Sequence, residues 1–346
     1  MRHSKRIKGI AAIALAAVVS LGSAGCTPAA SGDGDEKKLD YPTRSIDLYI
    51  GYGTGGAGDS LAREYARLLE KELGVKVQVL NKPGGSGALA TGELLSKPAD
   101  GYTLALAAGS ELSITPVLGK GTLSYSNPDD WTTLGSVVDM QNGILVSSKS
   151  PWKTFEDFRK DALARPGEIT VGVPSVTGAN AMGVASLMDV AGIDVKIVPF
   201  SGGSGEAALA VLGGHVDAMN ATVSGQLGLI QSGDLISLGH SGDKPHAQVA
   251  DSKPFSAQGY PISKLANTTY FFYAPADMEK ELYDYLVEVN KKIVTGDEFL
   301  AWVDKMGYSP NSTGPEESEA ALRAMLDDAA EGVRLLTEAG LDLYSK

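Results

Sequence analysis

Five times along this chain a short apolar run ends in a cluster of Gly, Ser, Thr and Asn, and a helix-like stretch follows. The clusters are residues 51–59, 81–87, 109–113, 175–180 and 201–205. Residues 46–50 read as the first strand. A helix follows through Leu61 and Leu69 to Leu73, with Asp59 or Ser60 as N-cap and Gly74 as stop. Residues 75–80, 102–107, 169–173, 195–198 and 216–219 read as further strands, and helices fill the gaps between them. This alternation predicts parallel strands joined by right-handed crossovers. A second unit begins near Ile144, and the chain returns to the first around residues 262–274. Two long helices close it, 279–294 and 315–339, the last acidic and exposed. In open parallel sheets ligands sit beyond the carboxyl ends of the strands. Glycine lets backbone approach there, and each helix N-terminus offers unpaired N–H groups. One such loop is merely a tight turn; five in one chain predict an anion-binding cleft between two domains.

The N-terminus restricts where such a body works. Arg2, Lys5, Arg6 and Lys8 precede an apolar stretch, 10–21, that is shorter than the roughly 20 residues a bilayer span needs. Small residues then lead to Cys26, the single cysteine of the chain. Residues 1–25 resemble a bacterial lipoprotein signal, with Ser23 in place of the usual leucine, and Cys26 is the expected lipidation site. Residues 26–40 are small and charged and read as a flexible tether. The protein is thus expected outside the cytoplasm, held to a membrane by a lipid anchor. One cysteine excludes an intramolecular disulfide. The net charge of −12 argues against nucleic acid, which needs clustered Lys and Arg. It does not exclude a small anion bound by backbone N–H groups and helix dipoles.

Particular residues go further. Tyr41-Pro42-Thr43-Arg44-Ser45-Ile46, Tyr52-Gly53-Thr54-Gly55-Gly56-Ala57-Gly58-Asp59 and Asn81-Lys82-Pro83-Gly84-Gly85-Ser86-Gly87 follow one another, then Asp100-Gly101-Tyr102-Thr103-Leu104. Val198-Pro199-Phe200 and Gly213-Gly214-His215-Val216-Asp217-Ala218 come later. In order and spacing these segments resemble the substrate-binding proteins of tripartite tricarboxylate transporters, the TctC or Bug family. The resemblance implies a two-lobed α/β body of the type II periplasmic-binding-protein kind, each lobe a mainly parallel sheet flanked by helices. Lobe 1 is expected at 41–142 plus 266–346 and lobe 2 at 143–265. It further implies that loops of both lobes hold a small carboxylate, mostly through backbone amides and waters, for delivery to membrane permease subunits. The matching positions are Tyr52, Gly53, Thr54, Gly55, Asp59, Asn81, Gly87 and Ser110 on the first lobe. On the second they are Thr177, Gly178, Ala179, Asn180, Ser201, Gly202 and Thr222. The chain departs from the pattern at Gly51, Ala57, Val176, Met182 and Ser201, which makes the second-lobe pocket less cationic and leaves the acid open: a di- or tricarboxylate, or an aromatic acid.

Other chemistries fit less well. Gly51-Tyr52-Gly53-Thr54-Gly55-Gly56 is a literal G-x-G-x-x-G, yet Asn81-Lys82 stands where a dinucleotide site places its acidic residue. Ser150-Pro151-Trp152-Lys153 matches S-x-x-K without its companion motifs and reads as a surface turn. No His or carboxylate pair has metal-ligand spacing, so no metal and no cofactor are expected, and no enzyme. The alternative to transport is a co-receptor presenting the ligand to a two-component sensor kinase, with an exported enzyme last. Asp59 has two readings: helix cap, or acceptor for a ligand group or an ordered water.

Overall fold

The computed structural model describes residues 39–119, 123–200, 203–341 and 343. The signal, most of the tether and Cys26 lie outside them. The first run of elements is β1 (Ile46–Ile50), α1 (Ala57–Leu73), β2 (Val77–Asn81), α2 (Ala88–Leu95), β3 (Thr103–Ala108), α3 (Gly109–Leu118) and β4 (Trp131–Met140). The second is β5 (Asn142–Ser147), α4 (Phe155–Ala164), β6 (Thr170–Val173), α5 (Ala179–Ala191), β7 (Lys196–Pro199), α6 (Ser204–Leu212), β8 (Ala218–Thr222), α7 (Leu227–Gln231) and β9 (Leu235–His240). The chain then returns through β10 (Thr268–Pro275), α8 (Lys280–Val294), α9 (Asp297–Met306), β11 (Ser309–Pro310), α10 (Pro315–Asp327) and α11 (Ala329–Glu338).

Two sheets result, ordered β11-β4-β10-β3-β1-β2 and β7-β6-β8-β5-β9. Both are mixed rather than mainly parallel. β1 pairs in parallel with β2 and β3, but β10 runs antiparallel to β3 and β4. Likewise β6 pairs in parallel with β7 and β8, while β5 runs antiparallel to β8 and β9. The strand–helix rhythm specifies the parallel halves; the strands that cross between lobes supply the antiparallel ones. Each parallel half has the same plan, the first strand lying between the second and the third. The connections leaving β1 and β3, and those leaving β6 and β8, therefore diverge, which makes a topological switch point in each lobe.

Alternation along the strands sets the cores. Leu48 and Ile50 face Leu61, Tyr65 and Leu69 of α1, with α8 and α9 completing that layer. Tyr49 turns to the opposite face with Ala105, Phe271, Tyr273 and Leu94. In the second sheet Ile144 and Val146 face α4 and α5, and Leu145 faces α6. The α1 helix ends at Gly74, left-handed at φ 72° as glycine permits, and α4 starts in a capping box made by Thr154 and Asp157.

The C-terminal segment departs from the sequence reading. The single exposed helix expected over 315–339 is two helices. α10 packs Leu322 on the first sheet, whereas Leu335 and Leu336 of α11 are buried in the core of the second, against α5. Gly332 lies so close to Met182 that a Cβ there would fall 2.6 Å from its Cε. Across Asp328, which keeps right-handed helical φ/ψ, the chain passes to α11, which packs on both α5 of the second lobe and α3 of the first.

The crossing between the sheets is pinned by one side chain. Asn142 is 1% exposed. Its Nδ2 donates to Ala266 O at 2.7 Å and Thr268 Oγ1 at 3.0 Å, and its Oδ1 accepts from Thr222 Oγ1 at 3.0 Å. It thereby ties the outgoing crossing, the return crossing and the end of β8. Asn142→Ala strands a buried carbonyl and two hydroxyls, and is expected to lower unfolding stability by about 2 kcal/mol. Chemical denaturation measures this, and a loss below about 0.5 kcal/mol would show that the crossing does not depend on it.

Candidate functional site

The site is where the two switch points meet. From the first lobe come the loop 51–56 after β1, the 3-10 turn Gly85–Gly87 after β2, and the start of α3 after β3. From the second come the loop 174–178 after β6 and the 3-10 turn Ser224–Gln226 after β8. Side chains join them across the gap: Ser86 Oγ lies 3.0 Å from Ser175 Oγ and accepts from Thr177 Oγ1 at 2.6 Å. At another point a Cβ on Gly225 would lie 3.9 Å from Ala57 at the head of α1.

Asp59 anchors the first-lobe side. It is not the N-cap of α1. Gly56 holds that position without a side-chain acceptor, and Asp59 lies in the first turn. From there Oδ2 accepts from Gly55 N at 3.0 Å and from Arg63 Nε at 3.0 Å. Oδ1 accepts from Asn81 Nδ2 at 2.9 Å and from Arg63 Nη2 at 2.9 Å. Asn81 also donates to Tyr52 O at 3.0 Å. The loop is thus strapped to α1 and to the end of β2. Burial opposes ionisation of Asp59, but its hydrogen bonds to Arg63, Gly55 and Asn81 outweigh it and hold the carboxyl below the usual range. Both Asp59 and Asn81 are spent inside the lobe. Tyr52 is half-buried against Tyr270, ring centroids 6.3 Å apart, and burial raises its hydroxyl pKa.

Backbone conformation shapes the next loop. Gly84, Gly85, Ser86 and Gly87 have successive φ values of 147°, 56°, 53° and 94°. Three can only be glycine without strain; Ser86 stays left-handed at a cost of about 1–2 kcal/mol. That strain coincides with the residue that reaches the other lobe. Gly87 packs against Glu111, whose Cδ would stand 2.1 Å from a Cβ on it. Gly53 and Gly55 face open space, where a Cβ would meet nothing within 4 Å. Thr54 is exposed, and Ser110 is buried in the first turn of α3.

On the second lobe Gly178 is the N-cap of α5, followed by Ala179 and Asn180, and contributes no side-chain acceptor. Asn180 Nδ2 is buried without a partner among the described residues. Thr222 is turned to the crossing, its hydroxyl given to Asn142. Ser201 and Gly202 lie outside the described residues; Gly203, the N-cap of α6 at φ 81°, adjoins them. The heads of α1, α3, α5 and α6 all lack a side-chain cap, leaving N–H groups for a ligand. Uncapped starts also occur in α8 to α11, so this is a requirement for anion binding and not a signature of it.

Ser86, Ser175, Glu111 and Asn142 were not read from sequence as site or crossing residues. A signal existed for Glu111, the single charge between Thr103 and Gly119. Ser150 and Lys153 form a turn in which Lys153 Nζ donates to the Ser148 and Ser150 carbonyls, at 2.8 and 3.0 Å, as expected of a surface S-x-x-K. A separate hollow of about 330 Å³, bordered by Lys149, Trp152, Arg165 and Asp217, shares no residue with the five loops. Among the described residues no group of three His, Cys, Asp or Glu is placed to hold a metal ion.

Two outcomes follow for the anchor and the turn. Asp59→Asn is expected to cost about 2 kcal/mol at neutral pH. The Asp59 carboxyl is depressed in the folded state, so its contribution is full above the unfolded-state value and fades as pH falls through the folded one. The gap between variant and parent in denaturant titrations should therefore close in acid, and a gap independent of pH would remove the charge from the account. Gly87→Ala meets both positive φ and the Glu111 carboxyl, and should lower the melting temperature more than Gly53→Ala, which meets neither. Equal melting points would contradict the packing.

Known proteins share this architecture. A "UPF0065 protein in gbd 5'region" of Cupriavidus necator is 29% identical over 317 residues, 90% of this chain and 91% of that protein. A solved structure described as a periplasmic transporter matches with a TM-score of 0.78 at 25% identity, covering 85% of this chain and 97% of the other. R. palustris Rpa4515, solved with adipate, matches with a TM-score of 0.79 at 21% identity over 86% of this chain and 99% of its own, and shows the fold. The family model described as the tripartite tricarboxylate transporter family receptor covers residues 61–341. Its members are solute-binding proteins and not enzymes, and with the two switch points facing each other this chain belongs to that family.

Proposed function

We propose that the chain captures a small carboxylate-bearing solute between its lobes and delivers it to a membrane permease of the tripartite tricarboxylate type. The observation that carries the reading is the contact of Ser86 with Ser175 and Thr177, which brings loops from the two switch points together. Between those loops the binding groups are backbone N–H groups and hydroxyls. Two cations beside the first-lobe loops, Arg63 and Lys82, are already bound to Asp59 and Glu93. Such a site takes an anion through oriented dipoles. It also fits a protein of net charge −12 that handles anionic cargo, because the attraction is local. A ligand bridging both lobes shifts the open–closed equilibrium, and the permease reads the closed form. That Rpa4515 was solved with adipate supports a dicarboxylate as the first candidate. The lipid anchor at Cys26 and a position outside the cytoplasm belong to the same proposal.

The test is calorimetric titration of the protein, unfolded and refolded to strip carried ligand, with adipate, malate, citrate and benzoate. Saturable one-to-one binding of one acid class is the expected result, and silence across the panel from folded protein would sink the carboxylate reading. Ser86→Ala removes the interlobe hydroxyl and should weaken the bound acid about three- to tenfold, the worth of one hydrogen bond. Unchanged affinity would mean that closure does not use this contact.

A further inference from the structure

Beneath the first-lobe loops lies a carboxyl group that the proposed chemistry has not used. Glu111 stands in the first turn of α3 and is 1% exposed. Its Oε1 accepts from Thr91 Oγ1 at 2.7 Å, and Thr91 in turn touches Tyr273 OH at 2.9 Å. Its Oε2 is buried with no partner among the described residues. That oxygen lies beneath the two ligand loops where they touch, 2.3 Å from where a Cβ on Gly87 would stand and 3.0 Å from one on Gly51. Glycine at both positions is what lets the carboxyl reach there.

The surroundings decide its protonation. The titratable groups that face it are the phenols of Tyr52 in the β1–α1 loop, Tyr125 before β4, and Tyr270 and Tyr273 of β10. All four are neutral at ordinary pH, their own values raised by burial and by Glu111 itself. No described Lys, Arg or His acts on Glu111; burial pushes its carboxyl up to about 8, against a small lowering by Thr91. A carboxyl raised in this way holds its proton more readily than an exposed one, and because Oε1 already accepts from Thr91, Oε2 is the oxygen free to carry it. A buried O–H without an acceptor is costly, and an oxygen anion seated on the loops above is the acceptor it lacks.

We propose that Glu111, in its protonated form, is a binding group of the cleft. Its Oε2 hydroxyl donates to the carboxylate held by the 51–58 and 85–87 loops, directly or through the water that bears it. Capture of the anion is then linked to retention of one proton. Ionised, Glu111 sets an uncompensated negative charge under the same loops and opposes the ligand. The inference rests on the carboxylate reading above, and by linkage affinity falls as pH rises, approaching tenfold per unit above the ligand-free value.

The experiment pairs a binding profile with a direct view of the proton. Adipate and malate are titrated into the full chain from pH 6 to 9.5, beside Glu111→Gln, which keeps a donor but cannot ionise, and Glu111→Leu, which has none. Wild type should lose affinity toward tenfold per pH unit above about 8. Glu111→Gln should show no such slope, and Glu111→Leu should bind more weakly throughout. If Glu111→Leu does not fold, the contrast between wild type and Glu111→Gln still decides. In parallel, the infrared difference between wild type and Glu111→Gln at pH 7 should contain a protonated-carboxyl stretch that shifts when adipate is added. Absence of that band, or a flat wild-type profile with an unmoved band, overturns the role of Glu111 and leaves the carboxylate function standing. A clear band with no binding of either acid at any pH overturns the carboxylate reading, and the coupling with it.

Discussion

The cleft depends on one carboxylate whose hydrogen bonds all lie within its own lobe. Asp59 gathers a loop N–H, a guanidinium and a carboxamide, and through them fixes the glycine-rich segment after β1 against α1 and the end of β2. A loop with several glycines has large conformational entropy to lose, and without such an anchor its N–H groups would not converge. The neighbouring turn is held differently, by a run of left-handed residues seated on Glu111. Hydrogen bonds thus lower the pKa of one carboxyl and burial raises that of the other, and both pack on the loop backbone.

In the proposed binding mode, this division lets an acidic protein accommodate an anion. Charge repulsion is long-ranged and screened by salt, whereas N–H dipoles act at contact. Backbone donors set at fixed angles distinguish the shape of an acid as well as its charge. The crossing is tied at Asn142, while Ser86 of one lobe meets Ser175 and Thr177 of the other through hydroxyls.

Much of the first lobe was readable along the chain. β1 occurs at the expected residues, and Gly74 ends α1. These features rest on period, capping and positive φ, which act within a few residues. The failures share the opposite cause. The antiparallel half of each sheet and the packing of α11 on α5 and α3 are pairings between distant segments, invisible to local pattern. Asp59 was legible as a helix-start residue, but whether it capped the helix or reached back to Gly55 depended on where α1 begins. Glu111 reads locally as a favourable acid near a helix N-terminus; burial by β10, α2 and the Gly87 turn is what raises its pKa.

The sequence by itself determined the strand–loop–helix units, the glycine positions where backbone can approach an anion, the likeness to carboxylate receptors and the absence of enzyme signatures. These are consequences of short-range sterics and of residue chemistry carried in the chain. Tertiary structure alone decided which loops face each other, which of their polar side chains are already spent on one another, and which acid is buried without a charged partner. Solvation and partnership are properties of an environment, and distant parts of the chain must fold together before that environment exists.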